Sequence, residues 1–229
     1  MPKIVDHHQR RLELVDATWR IIAERGIDAA TMREIAAAAG FTNGALKPYF
    51  DSKDRLLDFA FEHIFDQTNR RMQAATAGLA GREALRAYCH EILPLDDERL
   101  AEARVAIAFW NRAVRDPAKA ALHERSMDQW RRALAGFLSE SGLDDGPGAS
   151  GPDSHATESG APGAGGPESG SPAPSETAIS RMATAVGAIM DLVLGAQITA
   201  TLSPGSHDPD QLVAQLDLLL DAVLAGARV

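Results

Sequence analysis

The chain has 229 residues, 45% apolar and 24% charged, with 5% aromatics and a formal net charge of −9. This is an ordinary globular composition, long enough for one large domain or two modest ones, and the abundance of alanine favours helix over strand. A single cysteine, Cys89, excludes an intrachain disulfide framework and fits a reducing, cytoplasmic setting; "MPKIVDHHQRRLELVD" lacks the apolar core of a signal peptide, and no apolar run is long enough to predict a membrane span.

The charge is uneven. Residues 1–53 hold eight basic and seven acidic residues, so this segment is +1 while the remainder carries −10. An acidic total therefore does not exclude a nucleic-acid-facing end.

In chain order, Leu12, Val15, Trp19 and Ile22 recur at helical spacing and predict a helix from about His8 to Arg25, stopped by Gly26. A second helix starts at Thr31, where Thr31 and Glu34 have the spacing of a capping box. Met32, Ile35, Ala36 and Ala39 form its inner face, and Gly40 ends it. A short third helix follows, with Thr42 as its expected N-cap and Ala45, Leu46 and Tyr49 or Phe50 on the buried side. Pro48 removes one backbone donor and crowds the Gly44 carbonyl, so this helix is expected to end or tighten near Lys47. Ser52 can cap a long fourth helix, Lys53 to Ala77, with Leu56, Leu57, Ala60, Phe61, Ile64 and Phe65 inside.

Further helices are expected near 82–92, 98–115, 118–139, 176–202 and 209–227, with Pro94, Pro117, Pro204 and Pro209 at their boundaries. Between them, residues 141–176 contain nine glycines, six prolines and six acids, with no Phe, Tyr or Trp and no Lys or Arg. Such a segment buries too little apolar surface to offset its ordering entropy, so it is expected to be a disordered insertion in one helical domain. The last two helices show apolar faces, Ala188, Leu192, Gly195 and Ala196 on one and Leu212, Leu216, Leu219 and Val223 on the other. These suit a four-helix bundle across a two-fold axis, so a homodimer through these helices is expected.

Two capped helices joined by a glycine turn read as a helix-turn-helix, whose second helix enters the major groove. The segment "AERG" followed by "TMREIAAAAGFTNGALKPYFDSKDRLL" resembles the TetR family of bacterial repressors over residues 10–58. More weakly, residues 94–134 and "AVGAIMDLVLGAQ" resemble the effector domain of its betaine-repressor-like subgroup. Pro48 departs from the family pattern, as does Lys47, where an aromatic residue is usual. The resemblance implies an all-α, homodimeric transcription factor. It would comprise a DNA-binding domain at 1–52 and an effector-binding and dimerisation domain at 53–229. As the family default it would be a repressor on palindromic double-stranded operator DNA, released by an unknown small-molecule effector. A helical interaction or ligand-sensing protein with impaired DNA reading is the alternative.

By chemistry, Asn43 suits adenine, Thr42 a thymine methyl or phosphate, and Lys47 guanine or phosphate. Arg33 suits the groove edge, and Thr31, Tyr49 and Lys53 suit the phosphate backbone. The effector pocket is expected among Phe65, Tyr88, Phe109, Trp110, Asn111, Trp130, Met190 and Gln197, where aromatic faces could hold a quaternary ammonium. No catalytic residue, metal site or cofactor is assigned. Adjacent Cys89 and His90 diverge by roughly 100° on a helix, and no hydrolase, metalloprotease or phosphate-loop motif is present.

Overall fold

The computed structural model describes residues 6–143 and 180–225, Asn43 through its backbone only. Among these residues eight α-helices and three short 3-10 turns follow one another without a strand, the all-α class expected.

Helix α1 (His7–Arg25) begins at Asp6, whose carboxylate accepts from the His8 and Gln9 N–H groups. It stops at Gly26, which takes φ +81°. The buried face is centred on Leu14, Ala17, Thr18 and Ile21, with Val15 and Ile22 beside them, while Leu12 and Trp19 are only half-buried. The face is wider than the expected stripe because α1 packs against α2, α3 and α5 at once. Thr18 fits this core by donating its hydroxyl to the Leu14 carbonyl at 2.7 Å.

Helix α2 (Met32–Ala38) opens as predicted on Thr31, whose Oγ1 accepts from the Glu34 N–H at 3.2 Å. The capping box closes on that side alone. Thr31 N–H donates to the Ala29 carbonyl, and the Glu34 carboxylate pairs with Arg25 instead. Gly40, at φ +73°, and Phe41 return their N–H groups to the Ala37 and Ala36 carbonyls, a Schellman close that only a left-handed residue permits.

The expected third helix is a 3-10 turn, Asn43–Leu46, followed by a turn through Tyr49. Pro48 has no N–H to continue an α-helix, and Tyr49 and Phe50 both donate to the Leu46 carbonyl at 2.9 Å. The tightening near Lys47 is thus present. Thr42 holds the N-cap position, but its hydroxyl makes no capping bond. The Ala45 N–H that it would serve is already taken by the Thr42 carbonyl in the 3-10 pattern.

Helix α3 (Lys53–Thr76) is capped by Ser52, which accepts from the Arg55 N–H at 3.3 Å. It is shared between two cores. Leu56, Leu57 and Ala60 pack with Leu14, Ile35, Leu46 and Phe50, whereas Met72 belongs to a larger core with Leu85, Leu134, Ile189 and Leu216. Helix α4 (Gly81–His90) helps build that second core, whereas α5 (Asp97–Ala113) gives Val105 to the first core and Phe109 and Ala113 to a small cluster with Phe61; α6 (Pro117–Glu140), α7 (Arg181–Leu202) and α8 (Pro209–Ala225) complete the second core. Pro117 and Pro209 occupy first helical positions, where a missing N–H leaves no bond unmade.

By length and composition α7 alone, among the described residues, could cross a membrane. It lies instead against α5, α6 and α8, with Ile189, Val193 and Ala196 buried, so its apolarity serves the bundle. At the end of α6 the polar segment starts later than expected. Gly142 turns at φ +87° and Leu143, fully buried, donates to the Leu138 carbonyl. The disorder expected at 141–176 otherwise falls outside the described residues.

Candidate nucleic-acid interface and effector cavity

The basic residues of the N-terminal half divide into those spent on the fold and those left free. Arg10 pairs with Glu13 at 2.6 Å. Arg11 lies over the rings of Phe59 and Phe50, at 4.1 and 4.9 Å. Lys53, expected on phosphate, donates to the Ile27 carbonyl at 2.8 Å and so ties the start of α3 to the loop after α1. Arg33 and Lys47 are exposed and carry no ion pair among the described residues. Thr31 and Thr42 are exposed at the two helix starts, and Asn43 opens the 3-10 turn. Tyr49 is half-buried, packed edge-on against Phe41 at 5.8 Å and tilted on His7 at 5.2 Å. Its ring braces the turn, leaving the hydroxyl as the part suited to a phosphate.

In the C-terminal half a cavity of about 40 Å³ opens between α3, α5, α6 and α7. Of the eight expected residues, Phe65, Trp110, Trp130 and Gln197 line it. The other four do not. Tyr88 is buried in the main core against Phe137, Met190 is buried in the same core, Phe109 is stacked behind Phe61 at 3.8 Å, and Asn111 is exposed on the outer side of α5. One residue along a helix rotates a side chain by roughly 100°, enough to carry Asn111 away from Trp110.

The sequence reading missed the charged wall. Arg71 grips both oxygens of Glu102, at 2.7 and 2.8 Å, and reaches Glu91 at 3.0 Å. Arg99 also donates to Glu91, at 2.9 Å, and Thr68 donates to Glu102 at 3.3 Å. The paired carboxylates hold the Arg71 guanidinium protonated well above its ordinary range. One signal was available: Glu102 shares the inner stripe of α5 with Val105, Ala106 and Phe109, an acid where an apolar residue is due.

Three ties join the halves. Arg104 donates to the Ala23 carbonyl at 2.7 Å, Lys119 meets both oxygens of Asp58 at 2.7 and 2.9 Å, and Arg112 pairs with Asp54. Burial pushes the Cys89 thiol up to about 12, consistent with an inert core residue.

Burial also lowers the imidazoles of His63, His90 and His123 from their ordinary 6.5. As pH falls the unfolded chain takes up these protons before the folded one, so stability is lost below the unfolded value. The melting temperature is expected to decline steadily from about pH 7 to about pH 5.5; a flat or rising profile would contradict it. Asp54 and Asp217, held low by hydrogen bonds from Arg112 and Arg86, act only in the more acid range.

The apolar faces expected at the dimer are mostly turned inward. Leu216 and Ala196 are buried, and Leu192, Leu212, Leu219 and Val223 pack on the main core. The exposed large apolar residues of these two helices are Ile198, Leu202 and Leu218, the last 72% exposed. A helix with three apolar sides shows its intramolecular stripe most strongly, and that stripe was the one legible.

Residues 14–59 match the family model of bacterial regulatory proteins, tetR family, and residues 81–160 that of the BetI-type transcriptional repressor C-terminal region. The chain is similar to the HTH-type transcriptional regulator PksA of Bacillus subtilis, 36% identical over 146 residues, covering 62% of this chain and 70% of that protein. It is similar to BetI of Burkholderia thailandensis, 32% identical over 123 residues, 51% of this chain and 61% of that one. Its fold matches a transcriptional regulator from Rhodococcus sp. Rha1, with TM-score 0.75, 26% identity and coverage of 96% and 98%. A regulator from Saccharomonospora viridis in complex with choline shares the fold alone, at TM-score 0.72, 17% identity and coverage of 93% and 96%.

Fold and site together define a helix-turn-helix transcriptional regulator with a C-terminal ligand-binding domain. The chain belongs to the TetR family.

Proposed function

We propose that the protein is a homodimeric repressor of a palindromic operator, released when a small effector enters the cavity between α3, α5, α6 and α7. The observation that carries the DNA-reading part is the turn at Gly40, with Arg33 on one side and Lys47 on the other, both exposed and unspent on the fold. Thr42, Asn43 and Lys47 are assigned to bases, and Thr31, Tyr49 and Lys53 to the phosphate backbone. Lys53 keeps free donors beyond the one given to Ile27. The choline complex of the Saccharomonospora regulator supports a small molecule as effector without naming this one.

The second copy is assigned to the face bearing Ile198, Leu202 and Leu218. Selection of genomic fragments followed by footprinting at two salt concentrations tests the whole reading. A palindromic, salt-sensitive footprint is expected, since phosphate contacts release counterions. Leu218→Glu is expected to yield monomers and lose that footprint. A dimeric, folded protein that protects no site would favour an interaction protein instead.

A further inference from the structure

We infer that the cavity takes an uncharged effector with an apolar body, an oxygen that accepts hydrogen bonds and a hydroxyl that donates one. This rests on the sensor reading of the same cavity and adds the chemical class.

The charges of the wall are already closed upon one another. Glu91 and Glu102 face Arg71 and Arg99, each of the two acids bonded more than once, and Arg99 spends its remaining terminal nitrogen on Asp96 at the exposed edge. A bound cation would sit beside the half-buried Arg99, with Arg71 behind the wall, and without a free carboxylate; a bound anion would sit beside Glu91 and Glu102 without a free guanidinium. Either would carry an uncompensated charge into a low-dielectric site. The aromatic faces are also largely used. Phe61 stacks on Phe109 at 3.8 Å, and Phe65 stacks on Trp130 at 5.3 Å. Trp130 further spends its N–H on Asn69 at 2.9 Å. An open cage for a quaternary ammonium is not what remains.

What remains is a small set of polar atoms without partners. Trp110 Nε1–H and Arg99 Nε–H are buried donors that meet no acceptor on the protein, and Gln197 Oε1 is a buried acceptor that meets no donor. All three side chains line the cavity, and Gln197 is only 7% exposed. The orientation of its amide is not arbitrary. Nε2 donates to the Ile92 carbonyl at 2.9 Å, which only the nitrogen can do, so the oxygen is the free end. Buried polar groups are paired in native structures, and a ligand that pairs them gains those bonds while its body fills apolar space. Two donors and one acceptor ask for a carbonyl-type oxygen and a hydroxyl. At about 40 Å³ the cavity holds a few waters, so such a ligand binds an expanded state of the cavity and draws the population toward it.

Three probes of similar or smaller size separate the classes by calorimetry on the full chain: methyl 4-hydroxybenzoate, which is uncharged, 4-hydroxybenzoate, which adds a carboxylate, and choline. The ester is expected to bind at least about tenfold more tightly than either charged probe. Trp110→Phe keeps an aromatic ring and removes the donor; Gln197→Leu removes the acceptor together with the Nε2 bond to the Ile92 carbonyl. Each is expected to weaken the ester about fivefold, the worth of one hydrogen bond. Equal or tighter binding of choline or 4-hydroxybenzoate overturns the proposal, as does ester affinity indifferent to Trp110→Phe, the milder variant. If none of the three binds, the effector class falls. The sensor reading falls separately, and only if no compound in a broad thermal-shift screen both stabilises the protein and releases it from its operator.

Discussion

Replacing Arg71 with methionine is expected to destabilise the protein by about 3–5 kcal/mol, the cost of stranding a buried charge. Glu102, whose side chain is 11% exposed, would keep only the Thr68 hydroxyl as donor, whereas Glu91 would still hold Arg99. The melting temperature should fall on the order of 10 °C. The double variant Arg71→Met with Glu102→Leu is expected to recover most of this loss, because it removes the orphaned charge along with its partner. Denaturant titration of the wild type, both single variants and the double variant closes the cycle. Losses that simply add would mean that Arg71 and Glu102 are not a unit, and the closed charge pattern of the cavity would lose its basis.

Removing both free cations of the reading unit is expected to have the largest effect on function. The variant Arg33→Ala with Lys47→Ala should weaken operator binding by about two orders of magnitude, from roughly 1–3 kcal/mol per contact. The salt slope should shrink by nearly one unit for each cation that touches phosphate. Both residues are exposed, so the melting temperature should hold. Pro48→Ala is the informative contrast. It restores a backbone donor just past the 3-10 turn, so base preference should shift while the salt slope stays. Fluorescence anisotropy on the selected operator, at two salt concentrations, reads all three. Unchanged operator affinity in the double variant would move the DNA contacts elsewhere.

The parts of this structure visible in the sequence are those set by neighbours along the chain. Thr31 and Ser52 cap because their hydroxyls need reach only three residues; Gly40 turns because no side chain opposes it; Pro48 tightens its turn because it lacks a donor. Of the eight residues named for the pocket of such a fold, Phe65, Trp110, Trp130 and Gln197 line the cavity. Helical spacing failed where the partner lies far off in the chain. Arg71 and Glu102 meet across 31 residues, and Lys119 and Asp58 across 61. A charged residue in a sequence looks solvated until its distant partner is known. Lys53, assigned to phosphate at the start of a helix, also serves the Ile27 carbonyl, 26 residues away. The exposed apolar side of α7 and α8 was hidden by a stronger inward stripe on the same two helices.

Helix α5 behaves as a beam pinned to both halves. One side carries Glu102, Val105, Ala106 and Trp110 against the cavity, while Arg104 and Arg112 hold the Ala23 carbonyl and Asp54. Ala23 stands three residues before Gly26, where α1 turns toward the reading unit, and Asp54 stands in the first turn of α3. An occupant that pushes on Trp110 therefore loads a rigid member with no free end. The displacement must either break those two grips or travel through them to the end of α1 and the start of α3, on each side of the DNA-reading turn.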